Sequence, residues 1–255
     1  MTLSKELINL VTLLIFFGGY VAAVFAIVVG IITIVRKEAT TGFLGIWCLL
    51  TGIGLLISSS YTTAVRFLSQ ETISKFATLN GIIQILLSAA IVVFVFMYPK
   101  IRYNAKGLIA IIIIRIAVNP VNAFLNNLSA KFFFKGSSSA LPAYYLTTVV
   151  SAIAALAVSI IIFLAFFKNR DKEEFIPKMW VFHLLTVIFE VVVLIISIYV
   201  TIISINDNRL VYRMIDDATL IETFVIMLSE FVIPASGIYI IINGKNKKKQ
   251  LEIVG

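Results

Sequence analysis

The sequence GLIAIIIIRIAVNPVNAFL, residues 107–125, decides the fold class, because it is long enough and apolar enough to cross a membrane as one helix. It also carries Arg115 near its middle. A charged side chain at the centre of a bilayer costs about 2.5–3.5 kcal/mol on insertion scales. We therefore expect this residue to face other helices or a wet cavity rather than lipid.

Four polar residues follow one another along this segment at spacings of four, three and four. They are Arg115, Asn119, Asn122 and Asn126. The helical period places all of them on one face. Pro120 stands among them and removes a backbone hydrogen bond, so it is expected to interrupt the helix. The segment therefore predicts a polar, locally broken helix face inside the membrane.

The composition of the whole chain indicates a membrane protein. Of 255 residues, 60% are hydrophobic and 13% are charged, and the mean hydropathy is +1.06. A single core of a soluble domain stops growing well before it can hide so much apolar helix. The net charge of +8 comes from Lys and Arg residues that stand mostly in short loops. There they indicate topology, and no nucleic-acid partner is expected.

The predicted fold class is an all-α, polytopic bundle of seven transmembrane helices. The predicted spans are residues 7–35, 43–65, 76–98, 107–125, 143–167, 179–205 and 219–242. Residues 1–243 thus form the transmembrane domain, and residues 244–255 form a basic cytoplasmic tail. The first span is too long for a signal-peptide core. Small residues recur along it at every fourth position and predict close packing against another helix: Gly18, Ala22, Ala26 and Gly30.

The distribution of basic residues predicts the orientation. The odd-numbered loops and the C-terminal tail contain thirteen Lys and Arg residues, whereas the N-terminus and the even-numbered loops contain seven. Because basic residues concentrate on the cytoplasmic side, the C-terminus is predicted to be cytoplasmic and the N-terminus to lie outside. We expect the protein in the plasma membrane.

Two acidic residues are predicted to lie at a depth similar to that of Arg115. A rise of 1.5 Å per residue places Arg115, Glu190 and Glu230 roughly 13, 18 and 22 Å from the cytoplasmic ends of their helices. One hypothesis is that Arg115 pairs with one of the two glutamates in a static contact between helices. The other is that the charges line a solute-binding pocket, formed by Arg115, Asn119, Asn122, Glu190 and Glu230.

The sequence also predicts the environment or the structural effect of three further residues. His183 lies near the cytoplasmic end of its span and is expected to be solvated. Cys48 is expected to be a small buried apolar residue, and Pro234 is expected to break the seventh span. One His and one Cys do not make a metal site, and no cofactor is expected. The chain contains no HExxH, G-x-S-x-G or Gly-rich phosphate-loop motif, so the sequence leans against an enzyme without deciding it.

Three functions remain open on the sequence, and the least favoured is a membrane-embedded enzyme that uses Glu190 or Glu230 as acid or base, because no motif supports it. The leading hypothesis is a transporter or solute-binding protein of the membrane, with a site for a small polar or anionic solute around Arg115. The alternative is a membrane sensor, or a subunit of a larger membrane complex, that contacts a protein partner through the cytoplasmic loop 168–178 and the tail. With any of these functions, the lipid bilayer is an expected partner of the protein.

Overall fold

The computed structural model describes residues 4–36, 41–64, 105–134, 140–170, 178–205 and 209–254, together with isolated residues between 69 and 90. Seven helices make up these ranges. They are α1 (Lys5–Val35), α2 (Thr41–Ala64), α3 (Ala105–Phe134), α4 (Ala140–Lys168), α5 (Met179–Ile203), α6 (Arg209–Ser229) and α7 (Val232–Val254). The predicted all-helical class is therefore confirmed for the described part of the chain.

Six stretches of these helices are long and apolar enough to cross a membrane. They are Lys5–Val35, Leu44–Tyr61, Lys106–Leu125, Tyr145–Lys168, Met179–Ile203 and Met214–Asn243. They coincide with six of the predicted spans, so the protein is a multi-pass helical membrane protein. The third predicted span, residues 76–98, lies largely outside the described residues.

The last of these stretches is divided into two helices, because α6 ends at Ser229 and α7 begins at Val232. Pro234 explains the division, since it has no N–H to donate and its ring clashes with the carbonyl group four residues earlier, that of Glu230. Regular bonding resumes where the amide of Ala235 donates to the carbonyl oxygen of Phe231 at 3.0 Å. The predicted break is confirmed, and it falls one turn before the proline.

Pro120 behaves differently from Pro234. It lies inside α3, which continues without interruption from Ala105 to Phe134. The predicted break of this helix is therefore wrong. Because a proline cannot donate, the carbonyl group of Ile116 still lacks its usual donor within the helix.

The chain divides into two compact units. Unit 1 consists of Met1–Ile15, Lys106–Phe167 and His183–Ser229, and unit 2 consists of Phe16–Ala105, Lys168–Phe182 and Glu230–Gly255. In unit 1, Val200 of α5 packs with Ile215 and Ala218 of α6 in a small buried cluster, and Tyr145 of α4 lies against that cluster.

In unit 2, α1 and α2 approach each other so closely that their backbones nearly touch. A Cβ atom added to Gly30 would lie 2.8 Å from the carbonyl oxygen of Gly45, and one added to Gly52 would lie 2.8 Å from that of Ala23. Ala22 and Ala26 are fully buried. The close packing predicted at Gly30 is therefore present, and the other residues of α1 that meet α2 here include Gly19, Ala23 and Ile27.

The third helix of unit 2, α7, packs against both α1 and α2. Three contacts join it to α1, and they follow the same order along both helices: Phe25–Phe231, Val29–Gly237 and Arg36–Ile241. The two helices therefore run parallel. In the last contact, Nη1 of Arg36 donates to the carbonyl oxygen of Ile241 at 3.1 Å. Cys48 of α2 is buried, as predicted, and lies near Gly237.

Candidate functional site

Arg115 and Glu190 both belong to unit 1, within electrostatic reach of each other. Arg115 lies on α3, about 13 Å by helix rise from Lys106, and its side chain is exposed. It attracts the carboxylate of Glu190, a partly buried residue of α5. Among the residues that the structure describes, no carboxylate oxygen lies within 4.0 Å of an Arg115 nitrogen. The guanidinium group therefore has a counter-charge within electrostatic reach, and none of the described carboxylates holds its donors directly.

Asn122 continues the polar face of α3 and contacts α4. Its Nδ2 atom donates to Oγ of Ser151 at 2.8 Å. Its Oδ1 atom is buried and has no hydrogen-bond partner among the described residues. The side chain of Asn119, the other predicted asparagine of the site, lies outside the described residues.

Glu230 stands in the break between α6 and α7, within unit 2. Its side chain is partly buried, and it forms no hydrogen bond or ion pair with the residues that the structure describes. The break also leaves the carbonyl group of Glu230 without its helical donor, because Pro234 has none to offer. Whether Glu230 shares a solute site with Arg115 stays a prediction.

A second polar contact, which the sequence did not single out, joins α5 to α6 in unit 1. The hydroxyl group of Ser197 donates to Oε1 of Glu222 at 2.6 Å, and Ser197 is fully buried. This distance is at the short end of the range for O–H···O hydrogen bonds in proteins. The sequence did contain a signal for this contact. Glu222 carries a carboxyl group inside an apolar helix, and such a group needs a hydrogen-bond donor from a neighbouring helix.

His183 is buried, contrary to the prediction of a solvated side chain. It is 3% exposed, and its ring lies 4.2 Å from the ring of Phe166, centroid to centroid. The prediction used only the depth of His183 along its helix. In the structure, Phe166 near the C-terminal end of α4 packs against the imidazole ring.

Within the described ranges, no group of three or more His, Cys, Asp or Glu side chains is arranged to hold a metal ion. Comparisons with protein-family models, with curated proteins and with solved structures found no match.

Proposed function

We propose that this multi-pass protein binds and transports a small polar or anionic solute at Arg115. The exposed guanidinium group within the span carries this proposal. Such a group costs about 2.5–3.5 kcal/mol against lipid, so water, a solute or another protein must cover it. Its planar fork of donors matches a carboxylate or a phosphate group. Because no carboxylate in the described residues holds those donors directly, a solute anion can take them.

The predicted site residues have distinct roles in this proposal. Arg115 holds the anionic group, and Glu190 balances its charge when the site is empty. Asn119 and Asn122 bind the neutral part of the solute. Glu230, at the break, is the group whose protonation couples to binding. Helix breaks inside membranes are favourable places for such a group, since they present backbone carbonyl groups that a straight helix would consume.

The proposed topology has seven spans, an outside N-terminus and a cytoplasmic C-terminus, in the plasma membrane. Each crossing reverses the direction of the chain, and α1 and α7 run parallel within unit 2. Parallel first and last spans favour an odd total, whereas six candidate spans are described. In this proposal residues 76–98 are the seventh span. The excess of basic residues in the odd-numbered loops and the tail supports the orientation.

Ligand-dependent thermal stability tests the proposed function. Purified protein in detergent is heated with acetate, benzoate, succinate, glutamate or inorganic phosphate. We expect at least one of these anions to raise the unfolding temperature. Arg115→Gln should abolish that rise. Lys106→Gln should preserve it, because Lys106 is an exposed cation on the same helix that lies outside the site. An unchanged rise in Arg115→Gln, or no rise with any anion, would contradict the proposal.

The second candidate, a subunit of a larger complex, rests on the exposure of α3. The apolar stretch of this helix has a buried share of 12%, against 17–33% for the other five candidate spans. An acidic residue in the transmembrane helix of a partner could then cover Arg115. The predicted cytoplasmic contact is loop 168–178, of which residues 168–170 and 178 are described. Cross-linking in membranes from Ile116→Cys, a position that is 67% exposed, would capture such a partner.

A further inference from the structure

Asn122 is partly buried, and only one of the two polar atoms of its amide group is hydrogen-bonded to the described residues. Its Nδ2 atom donates to Ser151, while Oδ1 lacks a hydrogen-bond partner in the part of the chain that the structure describes. A buried acceptor without a donor is unfavourable for the protein, because it has given up its hydrogen bonds to water and gained none in return. A donor that reaches this oxygen would satisfy it while Nδ2 keeps its hydrogen bond to Ser151.

The position of this oxygen relative to Arg115 defines what can enter. The two residues are seven apart on α3, which is close to two helical turns, so they share one face and lie about 10 Å apart along the axis. Arg115 offers only donors, and Asn122 offers an acceptor. One face of α3 therefore presents hydrogen-bond donors at Arg115 and an acceptor at Asn122.

We propose that the solute is an anion that carries a hydrogen-bond donor at its far end, such as a hydroxy acid or an amino acid. The anionic group binds Arg115, and the donor binds Oδ1 of Asn122. This inference rests on the proposed function and names the class of solute. It excludes simple monocarboxylates with an apolar tail as the preferred class, since they would leave the Asn122 acceptor buried and unpaired.

Three carboxylates of equal chain length test this class. They are 6-hydroxyhexanoate, which ends in a donor, 5-methoxypentanoate, which offers only an acceptor, and heptanoate, which offers neither. Their dissociation constants are measured by calorimetry with the purified protein. We expect the hydroxy acid to bind about five- to 150-fold more tightly than heptanoate, the range that follows from leaving one buried acceptor unpaired. The methoxy acid should gain nothing over heptanoate.

Two variants test whether Asn122 is the residue that causes the tighter binding of the hydroxy acid. Asn122→Leu should lower the affinity for the hydroxy acid to that for heptanoate and leave heptanoate unchanged. Asn127→Leu, an exposed asparagine on the same helix, should keep the full preference. If Asn122→Leu does not fold, Ser151→Ala serves instead. It frees the Nδ2 donor of Asn122, so the methoxy acid should then gain on heptanoate.

The outcomes separate this inference from the proposed function. Equal binding of the three acids, abolished by Arg115→Gln, overturns the donor requirement and leaves the solute site at Arg115 standing. Tighter binding of the methoxy acid to the unmodified protein also overturns it, because Asn122 would then be acting as the donor. If neither these acids nor the anions of the thermal panel bind, the proposed function fails and this inference fails with it.

Discussion

Replacing Gly30 by alanine tests the close packing of α1 against α2. The new Cβ atom would lie 2.8 Å from the carbonyl oxygen of Gly45 and 2.9 Å from the amide nitrogen of Leu49, whereas ordinary contacts begin at 3.4 Å. Both neighbours are backbone atoms, so the helices themselves must move apart by about half an ångström. A gap of that size forfeits about a quarter of the dispersion energy of each contact along the interface.

We expect Gly30→Ala to reduce the free energy of unfolding by about 1–3 kcal/mol, the usual range for an overpacked core. The matched control is Gly19→Ala on the same helix. Its Cβ atom would lie 2.6 Å from Oγ of Ser59 and no closer than 3.7 Å to any other atom. The hydroxyl group can rotate away, and alanine favours the helix by about 1 kcal/mol over glycine. Gly19→Ala should therefore be neutral or stabilising.

Unfolding by sodium dodecyl sulfate in mixed micelles, followed by tryptophan fluorescence, measures both variants. Trp47 of α2 is 5% exposed, so its emission should change when α2 loses the neighbours that bury it. If Gly30→Ala is as stable as Gly19→Ala, the two backbones do not approach as described, and the explanation of the small-residue ridge is wrong.

Three further predictions concern other parts of the chain. Ser197→Ala should destabilise the protein by about 1–3 kcal/mol, because it leaves the carboxyl oxygen of Glu222 without its donor, and a double-mutant cycle with Glu222→Ala should show coupling rather than additivity. Lys178→Gly should stabilise the protein by about 1 kcal/mol in the same assay, since Lys178 has a φ of 65°, whereas Lys178→Ala should bring no gain. With the native cysteine replaced, Ser137→Cys should react with an impermeant thiol reagent from outside and Lys247→Cys only from the cytoplasmic side; the reverse pattern contradicts the orientation.

Features that depend on local sequence could be predicted. Hydropathy located six spans, the small residues along α1 indicated close packing of the kind found at Gly30, and Pro234 predicted a break. Each follows from the helical period or from the chemistry of one residue. The expected break at Pro120 failed because α3 accommodates the proline within a continuous helix.

Features that depend on which helices become neighbours could not be predicted. The distance of His183 from its helix end was correct, yet Phe166 of α4 covers it. Nothing in the spacing of Glu222 indicated that its donor would be Ser197. The candidate site depends on both local sequence and the choice of neighbouring helices. The helical period placed Arg115 and Asn122 on one face, but only the folded chain shows Glu190 near the former and Ser151 bonded to the latter.

The central claim is that Arg115 faces water and a solute inside the span. Reaction of Arg115→Cys with a charged, membrane-impermeant thiosulfonate tests it most directly, in intact membranes and with Cys48 replaced. Ile116→Cys is the control, because its side chain is exposed on the apolar side of the same helix and should face lipid. Reaction at position 115 but not at position 116, slowed by an anion that stabilises the unmodified protein, is the predicted result. An Arg115→Cys protein as unreactive as the control from both sides of the membrane would contradict the account.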